Sequence, residues 1–160
     1  MPKLQVQHYA AGLIWIALMG LCYLYFESRA RPAASLTHGG EISIPRSPDG
    51  HFYVSGTINA MPVNFLVDTG ASSVSVSREQ ALRMGLSHGH AAEFATAGGV
   101  VQGEIFDNVT VDVGGLRVEG LRVGSVPNMG AEALLGQNFL RHLEVLIRGD
   151  ALVLRAQVQP

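Results

Sequence analysis

The sequence predicts an all-β domain with one or two short helices, preceded by an N-terminal transmembrane helix. Three features of the sequence lead to this fold class. Short runs rich in Val, Ile, Thr and Phe alternate with turn signals, and the chain contains 19 glycines. One apolar stretch near the N-terminus has no charged residue. At 160 residues the chain can bury one sizeable core, but it is too short for two ordinary domains and a membrane segment.

The apolar stretch covers residues 10–26, which read AAGLIWIALMGLCYLYF. It is at the short end of what spans about 30 Å of hydrocarbon, and Trp15 and two tyrosines suit the membrane interface. We therefore expect a transmembrane helix at 10–26, after a tail at 1–9. A cleaved signal peptide is the alternative, because residues 28–30 (SRA) resemble a cleavage site. Positive charges flank the stretch on both sides and leave its orientation open.

A spacer and a single folded domain follow the apolar stretch. Residues 27–40 contain Pro, Ser, Thr and a Gly-Gly pair, which is typical of a loosely ordered linker. The folded domain is predicted for residues 41–160. Its predicted strands and turns are a first edge strand at 41–44, a hairpin of 51–59 with 63–67 that turns at Met61-Pro62, a strand at 74–76, a hairpin with its tip at 97–99, a hairpin that turns at Gly114-Gly115, and a final hairpin that turns at Gly149-Asp150. The apolar run at 63–67 implies burial on both faces.

Two short helices are predicted within the domain. Ser77, followed three residues later by Gln80, forms a capping box that opens a helix over REQALRM. Gly85 ends this helix as a C-terminal cap. A brief second helix is expected at 138–142.

The composition excludes several classes of function. The net charge is -2 and 15% of the residues are charged, so the chain offers no basic surface for nucleic acid. Cys22 is the single cysteine, which rules out a disulfide framework or a thiolate metal cage within one chain. His88 and His90 have no third ligand nearby in the sequence, and we interpret them as part of a solvated loop. We expect no metal and no cofactor.

A carboxylate directly follows an apolar strand in the segment FLVDTGAS at residues 65–72. Burial of a carboxylate is costly unless hydrogen bonds or a shared proton compensate, so an acid at the end of a core strand usually has a function. Asp68 is therefore the candidate catalytic residue. The alternative is that Asp68 only caps the turn, with Thr69 and Gly70 as ordinary turn residues.

From about residue 50 to residue 155 the chain resembles the retropepsin-like aspartic proteases, and specifically their bacterial membrane-anchored members. The resemblance rests on four segments: the hairpin GTINAMPVNFLVDTGASSVSVS, the helix QALRMGL, the Ala-Gly-Gly hairpin tip, and ALLGQNFL at residues 133–140. Two apolar residues and a glycine, here Leu134-Leu135-Gly136, are the second signature of that family. The two spaced signatures occur together in this chain.

The resemblance implies a closed, retropepsin-like lobe in which the segment 134–136 packs beneath the Asp68 loop. Two lobes make one protease, because the reaction needs two carboxylates that share one proton. No other aspartate of the chain is followed by Thr-Gly, so the second carboxylate is expected from Asp68 of another copy in a two-fold homodimer. Thr69 is implied to hydrogen-bond across the two-fold axis, and the Gly70 amide is implied to face the carboxylate.

The hairpin from about residue 94 to residue 105 matches the flap of the family, which closes over a bound peptide. Ala97, Gly98 and Gly99 form its tip, where the glycines would permit movement. An ordinary two-glycine hairpin turn is the alternative for these residues.

The function implied by the resemblance is that of an aspartic endopeptidase, which cleaves a protein through a water activated by paired Asp68 carboxylates. The alternative is a catalytically inactive, membrane-tethered binding or scaffolding domain of the same fold. The expected partners are a second copy of the chain, a protein or peptide substrate and, through residues 10–26, the membrane. By resemblance to bacterial relatives, we expect a single-pass inner-membrane protein with its domain in the periplasm.

Overall fold

The computed structural model describes residues 12–23, 35–37, 40–96 and 98–157. The chain divides into two compact units, Met1–Pro32 and Ala33–Pro160. In the first unit, residues 12–23 form helix α1, whose side chains are exposed.

The predicted N-terminal segments are only partly covered by the described residues. The tail at 1–9 lies outside them, as do both ends of the predicted transmembrane helix at 10–26. No helix among the described residues is long and apolar enough to cross a membrane. The predicted linker at 27–40 is also largely outside the described residues, but a short strand, Ser35–Thr37, lies within it. A regular strand at that position differs from the loosely ordered spacer that the composition predicts.

The second unit is built from strands, and the described residues form two sheets with two short helices. The strands in chain order are β1 (Ser35–Thr37), β2 (Glu41–Pro45), β3 (Tyr53–Ile58), β4 (Met61–Val67), β5 (Val74–Ser77), β6 (His90–Thr96), β7 (Gly99–Val113), β8 (Leu116–Val126), β9 (Ala133–Leu135), β10 (Leu143–Arg148) and β11 (Ala151–Ala156). The helices are α2 (Arg78–Arg83) and α3 (Gln137–Leu140). The all-β fold class with one or two short helices is confirmed for this unit.

The larger sheet closes on itself. Its strand order is β3-β4-β9-β5-β8-β7-β6, and an additional pairing joins β3 to β7. In that pairing Thr57 lies opposite Asp112, and Ile58 lies opposite Val111. The ring of strands is the closed barrel that the resemblance implies, and β6 extends from it as the partner of β7 alone.

The smaller sheet has the order β1-β2-β11-β10 and shares one hydrophobic core with the barrel. Ile42 and Leu154 of this sheet belong to the same buried cluster as Phe65 and Phe139, which are both fully buried. Strand β2 confirms the predicted strand at 41–44, but its position is central rather than at an edge, because it lies between β1 and β11.

The turn of the β3–β4 hairpin is two residues earlier in the chain than predicted. Asn59 and Ala60 form it with positive φ values of 47° and 67°, and Met61-Pro62 already belongs to β4. A two-residue loop with two positive φ angles matches the twist of the flanking strands, and Asn tolerates that conformation well. The Asn59 side chain also accepts a hydrogen bond from the backbone N–H of Thr110 at 3.0 Å.

Strand β4 is not buried on both faces, as its apolar run predicted. Val63 and Phe65 are buried, whereas Asn64 between them is exposed. This alternation is that of a strand with one face in the core and the other toward solvent. The prediction failed because apolar residues also occupy part of the outward face near the end of the strand.

The predicted capping box of α2 is present, with hydrogen bonds in both directions. The Ser77 hydroxyl accepts from the Gln80 backbone N–H at 3.1 Å, and the Gln80 side chain accepts from the Ser77 backbone N–H at 2.9 Å. Gly85 follows the end of the helix with a φ of +66°, which suits its predicted role as a terminator. The buried Gln80 side chain also donates to the Ala131 carbonyl at 2.7 Å, which ties the helix to the segment before β9.

The later turns agree with the sequence. Gly114-Gly115 joins β7 to β8, both with positive φ, and the loop between Arg148 and Ala151 joins β10 to β11. The second helix begins one residue earlier than predicted, at Gln137, and ends at Leu140.

Candidate active site

Asp68 is the first residue after β4, and hydrogen bonds hold the backbone on both sides of it. The preceding residue, Val67, donates to the Phe52 carbonyl at 2.9 Å. The Asp68 N–H donates to the carbonyl of Leu135 in β9 at 3.2 Å. Because β4 lies between β3 and β9 in the barrel, the half-buried Asp68 side chain projects from the end of an internal strand.

The residues after Asp68 form a tight turn around its carboxylate. The Gly70 N–H donates to Asp68 Oδ1 at 2.8 Å, and the Ala71 N–H donates to the Asp68 carbonyl at 3.3 Å. A Cβ atom on Gly70 would lie 3.2 Å from Oδ1, so a larger residue would crowd this oxygen. Within the described part of the chain the Asp68 carboxylate has no ion pair. One oxygen is thus oriented by a backbone amide, and the other is available to a partner.

Strand β9 lies directly against this turn, which we call the Asp68 loop (residues 68–73). Its parallel pairing with β4 aligns Leu134 with Leu66 and Leu135 with Val67. Gly136 follows, where a Cβ atom would lie 2.4 Å from the Ser73 carbonyl oxygen. Real Cβ atoms do not approach backbone that closely, so only glycine fits at this position. The segment 134–136 therefore lies against the Asp68 loop.

Two polar residues that the sequence analysis did not select, Gln137 and Asn138, hold the loop from the start of α3. The Gln137 side-chain amide donates to the Thr69 carbonyl at 3.0 Å, and its backbone N–H donates to the Ala71 carbonyl at 2.8 Å. The Asn138 side chain accepts from the Val74 N–H at 2.8 Å and donates to the Arg122 carbonyl at 2.7 Å. No local sequence signal marks them, because their contacts with the loop depend on the parallel pairing of β9 with β4.

The predicted flap is the hairpin of β6 and β7, in which Thr96 pairs with Gly99. Ala97, at its tip, lies outside the described residues. Gly99 has a φ of +113°, and the Thr96 hydroxyl donates to its carbonyl at 2.7 Å, which closes the turn. A Cβ atom on Gly98 would lie 3.8 Å from the Thr96 hydroxyl oxygen, which is an ordinary van der Waals distance. Val100, next to the tip, is 67% exposed, so the hairpin presents an apolar side chain to solvent.

The ring of Phe94 in β6 anchors this hairpin. A Cβ atom on Gly124 would lie 2.6 Å from the Phe94 ring, and one on Gly103 would lie 2.9 Å from it. The ring therefore packs directly on two glycines, one in β8 and one in β7. The sequence analysis did not predict this contact, because it depends on which strands become neighbours.

A cavity of about 540 Å³ lies between the flap hairpin and the Asp68 loop. The residues that line it come from the loop, β6, β7, β8 and α3: Ser72, Ser73, Glu93, Phe94, Ala95, Ile105, Gly120, Leu121, Arg122, Gly124, Gln137, Asn138 and Arg141. Asp68, Thr69 and Gly70 do not line it. The cavity thus borders the outer half of the loop and not the candidate catalytic carboxylate itself.

The remaining charged and metal-binding candidates lie in surface contacts. His90 is 3.6 Å from Asp107, and within the described ranges no group of three His, Cys, Asp or Glu residues could hold a metal ion. Hydrogen bonds from the Tyr53 hydroxyl and the His51 backbone hold the pKa of Asp49 below its ordinary value. The Arg155 guanidinium similarly lowers the pKa of Glu144 across the β10–β11 hairpin.

A closed barrel with an Asp-Thr-Gly turn over an apolar-apolar-Gly strand defines the retropepsin-like aspartic proteases. A sequence model of the "gag-polyprotein putative aspartyl protease" family matches residues 54–142. The chain belongs to this family. A crystal structure of a retropepsin-like aspartic protease from Rickettsia conorii is similar to it, with a TM-score of 0.63 and 29% sequence identity over 72% of this chain and 89% of that chain.

Two curated proteins are also similar in sequence. An uncharacterized protein of Rickettsia prowazekii is 47% identical over 49 residues, which are 31% of this chain and 21% of that protein. An uncharacterized protein from the cobV 5' region of a Sinorhizobium species is 31% identical over 121 residues, which are 72% of this chain and 52% of that protein. The matched segments therefore span about a fifth and about half of these relatives.

Proposed function

We propose that this chain is an aspartic endopeptidase whose active site contains Asp68 from each of two copies. The observation that carries the proposal is the Asp68 carboxylate at the end of an internal strand, with Oδ1 held at 2.8 Å by the Gly70 amide. A residue that only capped the turn would not need the further support of β9 and α3 beneath it. The family membership and the similar Rickettsia conorii protease support the same activity.

The proposed chemistry needs two carboxylates that share one proton. The ionised carboxylate takes a proton from a water as that water attacks the scissile carbonyl carbon, and the protonated carboxylate donates a hydrogen bond to the carbonyl oxygen. Collapse of the tetrahedral intermediate then returns a proton to the leaving amine. In this scheme Thr69 and Gly70 hold the loop in position and carry no proton.

The second carboxylate is proposed to come from another copy of the chain, because Asp68 belongs to the single Asp-Thr-Gly sequence in these 160 residues. A two-fold symmetric dimer brings identical loops together at its axis. Thr69 is exposed on the loop, which leaves its hydroxyl available to hydrogen-bond across that axis. Each chain then supplies half of one active site.

A peptide substrate is proposed to bind as an extended strand beneath the β6–β7 hairpin, with its backbone hydrogen-bonded and apolar side chains near the cut. The exposed Val100 near the tip suits a hairpin that closes over an apolar peptide. Closure would exclude water from the reacting carboxylates.

The experiment that tests this function uses a peptide mimic with a hydroxyl group in place of the scissile carbonyl. We expect the full-length protein to cleave members of a peptide library. We also expect the mimic of a cleaved sequence to bind about a hundredfold or more tighter than that substrate, because it resembles the tetrahedral intermediate. The matched control is the same mimic with a methylene group instead of the hydroxyl-bearing carbon. Absence of cleavage, or equal inhibition by both mimics, would contradict an aspartic protease.

Residues 10–26 are proposed to anchor the chain in the bacterial inner membrane, with the protease domain in the periplasm. The support is the sequence alone, which has no charged residue over this stretch. The full-length chain should remain in the membrane pellet after a sodium carbonate wash and be released by detergent. A chain that lacks residues 1–32 should be recovered in the soluble fraction. Release of the full-length chain by carbonate alone would argue against the anchor.

A further inference from the structure

Two of the residues that line the cavity beside the Asp68 loop are arginines, and neither has an ion pair in the described part of the chain. Arg122 belongs to β8 and Arg141 follows α3, and both are exposed. With the exception of Arg78, every other described arginine lies at ion-pair distance from a carboxylate: Arg46, Arg83, Arg117, Arg148 and Arg155. Two unpaired guanidinium groups in one cavity are therefore unusual for this domain.

The cavity has an excess of positive charge. Glu93 is the one acidic residue among those that line it. The Glu93 side chain accepts a hydrogen bond from the side-chain amide of Gln102 on the paired strand at 2.7 Å, which holds it along the hairpin. Two guanidinium groups against one carboxylate leave a net positive charge, although the whole chain has a net charge of -2.

The cavity also connects to the Asp68 loop. Ser72 and Ser73, at the end of the loop, form part of its wall, and Gln137 lines it while donating to the Thr69 carbonyl at 3.0 Å. Four residues of extended chain span at most about 14 Å. Ser72, which lines the cavity, is four residues after Asp68, so this wall of the cavity lies within that distance of Asp68. An extended peptide with its scissile bond at Asp68 can therefore place a residue at the cavity within about four positions of the cut.

We propose that this cavity is a subsite for a carboxylate of the substrate, which Arg122 and Arg141 bind. The carboxylate is either an acidic side chain a few residues from the scissile bond or the C-terminal carboxylate of the substrate. Guanidinium groups bind carboxylates through paired, charge-assisted hydrogen bonds, which gives both geometry and selectivity. This proposal rests on the proposed protease function and adds a preference for acidic substrates to it.

The test measures kcat/KM of the full-length protein in detergent for matched peptides. A cleaved decapeptide from a random library is resynthesised with Glu or Gln at each position within four residues of the cut. It is also made with a free or an amidated C-terminus. We expect one acidic form to be cleaved about ten- to a hundredfold better than its neutral partner, which is the effect of a charge-assisted pair. If the preferred peptide carries an internal Glu, the carboxylate comes from an acidic side chain. If it carries a free C-terminus, the carboxylate comes from the end of the substrate.

The variants are Arg122→Gln and Arg141→Gln, alone and together, with Arg78→Gln as the matched control. Arg78 is also without an ion pair in the described residues, but it lies in α2 and does not line the cavity. The double variant should lose the acidic preference, so that it cleaves the acidic and the neutral peptide with equal kcat/KM, and Arg78→Gln should keep the preference. An unchanged ratio of acidic to neutral cleavage in the double variant would overturn the subsite.

A binding measurement separates this proposal from the proposed function. The Asp68→Asn chain should bind fluorescent, uncleaved Glu peptides more tightly than Gln peptides, and the two arginine substitutions should remove that difference. Acidic preference in binding without any cleavage by the wild-type protein would support the subsite and contradict the protease. Cleavage without acidic preference would leave the protease intact and overturn the subsite.

Discussion

Replacement of Asp68 by asparagine should abolish proteolysis. Asparagine has the same shape as aspartate. Its side-chain oxygen can still accept the hydrogen bond that the Gly70 N–H donates to Asp68 at 2.8 Å in the native turn. It cannot take a proton from water, so kcat should fall by about a thousandfold or more. The loss should appear in kcat and not in the thermal stability of the domain. Peptide cleavage and a thermal melt of the same sample measure both quantities.

The matched control for this substitution is Asp150→Asn. The Asp150 side chain is 96% exposed and lies 3.6 Å from Arg46, so its removal costs one surface ion pair. Such pairs contribute little to stability, and kcat should change by less than about twofold. Equal activity of the Asp68→Asn and Asp150→Asn proteins would mean that Asp68 carries no chemistry.

Replacement of Gly136 by alanine should strongly destabilise the domain. The added Cβ atom would lie 2.4 Å from the Ser73 carbonyl oxygen and 2.9 Å from the Ala71 carbonyl oxygen. Both contacts are with backbone, so the Asp68 loop itself must move. That movement would weaken the hydrogen bonds from the Gln137 and Asn138 N–H groups to the loop, which are 2.8 Å and 3.1 Å long. Overpacking and weakened hydrogen bonds together should lower the free energy of unfolding by about 3 kcal/mol.

Urea unfolding of the Ala33–Pro160 unit measures this effect, with Gly130→Ala as the control. A Cβ atom on Gly130 would have its nearest neighbour, a Glu132 side-chain oxygen, at 3.9 Å, so the free energy of unfolding should change by less than about 0.5 kcal/mol. If both variants unfold at the same urea concentration, close approach to the loop is not the reason for glycine at position 136.

Much of the fold could be predicted from local patterns. The capping box at Ser77 and the glycine pair at 114–115 depend on residues within a few positions of each other, and the structure contains both. The prediction placed the turn at Met61-Pro62 and not at Asn59-Ala60, because proline is common in turns. Here Pro62 lies in strand β4. Proline is compatible with a strand where its missing N–H is not needed for pairing.

The features that could not be predicted are those that depend on distant pairing. The contact of β3 with β7 closes the barrel between residues more than fifty positions apart, and no local pattern encodes it. The same reason applies to Gln137 and Asn138, which reach the Asp68 loop only because β9 pairs in parallel with β4. The cluster of Arg122 and Arg141 in one cavity likewise arises when β8 and α3 become neighbours.

The most direct test of the shared active site is a mixing experiment. Wild-type and Asp68→Asn chains of full length are refolded together at constant total concentration, with the wild-type fraction varied, so that subunits associate at random. If each site needs Asp68 from two chains, activity should follow the square of the wild-type fraction, and an equal mixture should retain about a quarter of the full activity. Activity that falls in direct proportion to the wild-type fraction, to about half in the equal mixture, would contradict the shared site.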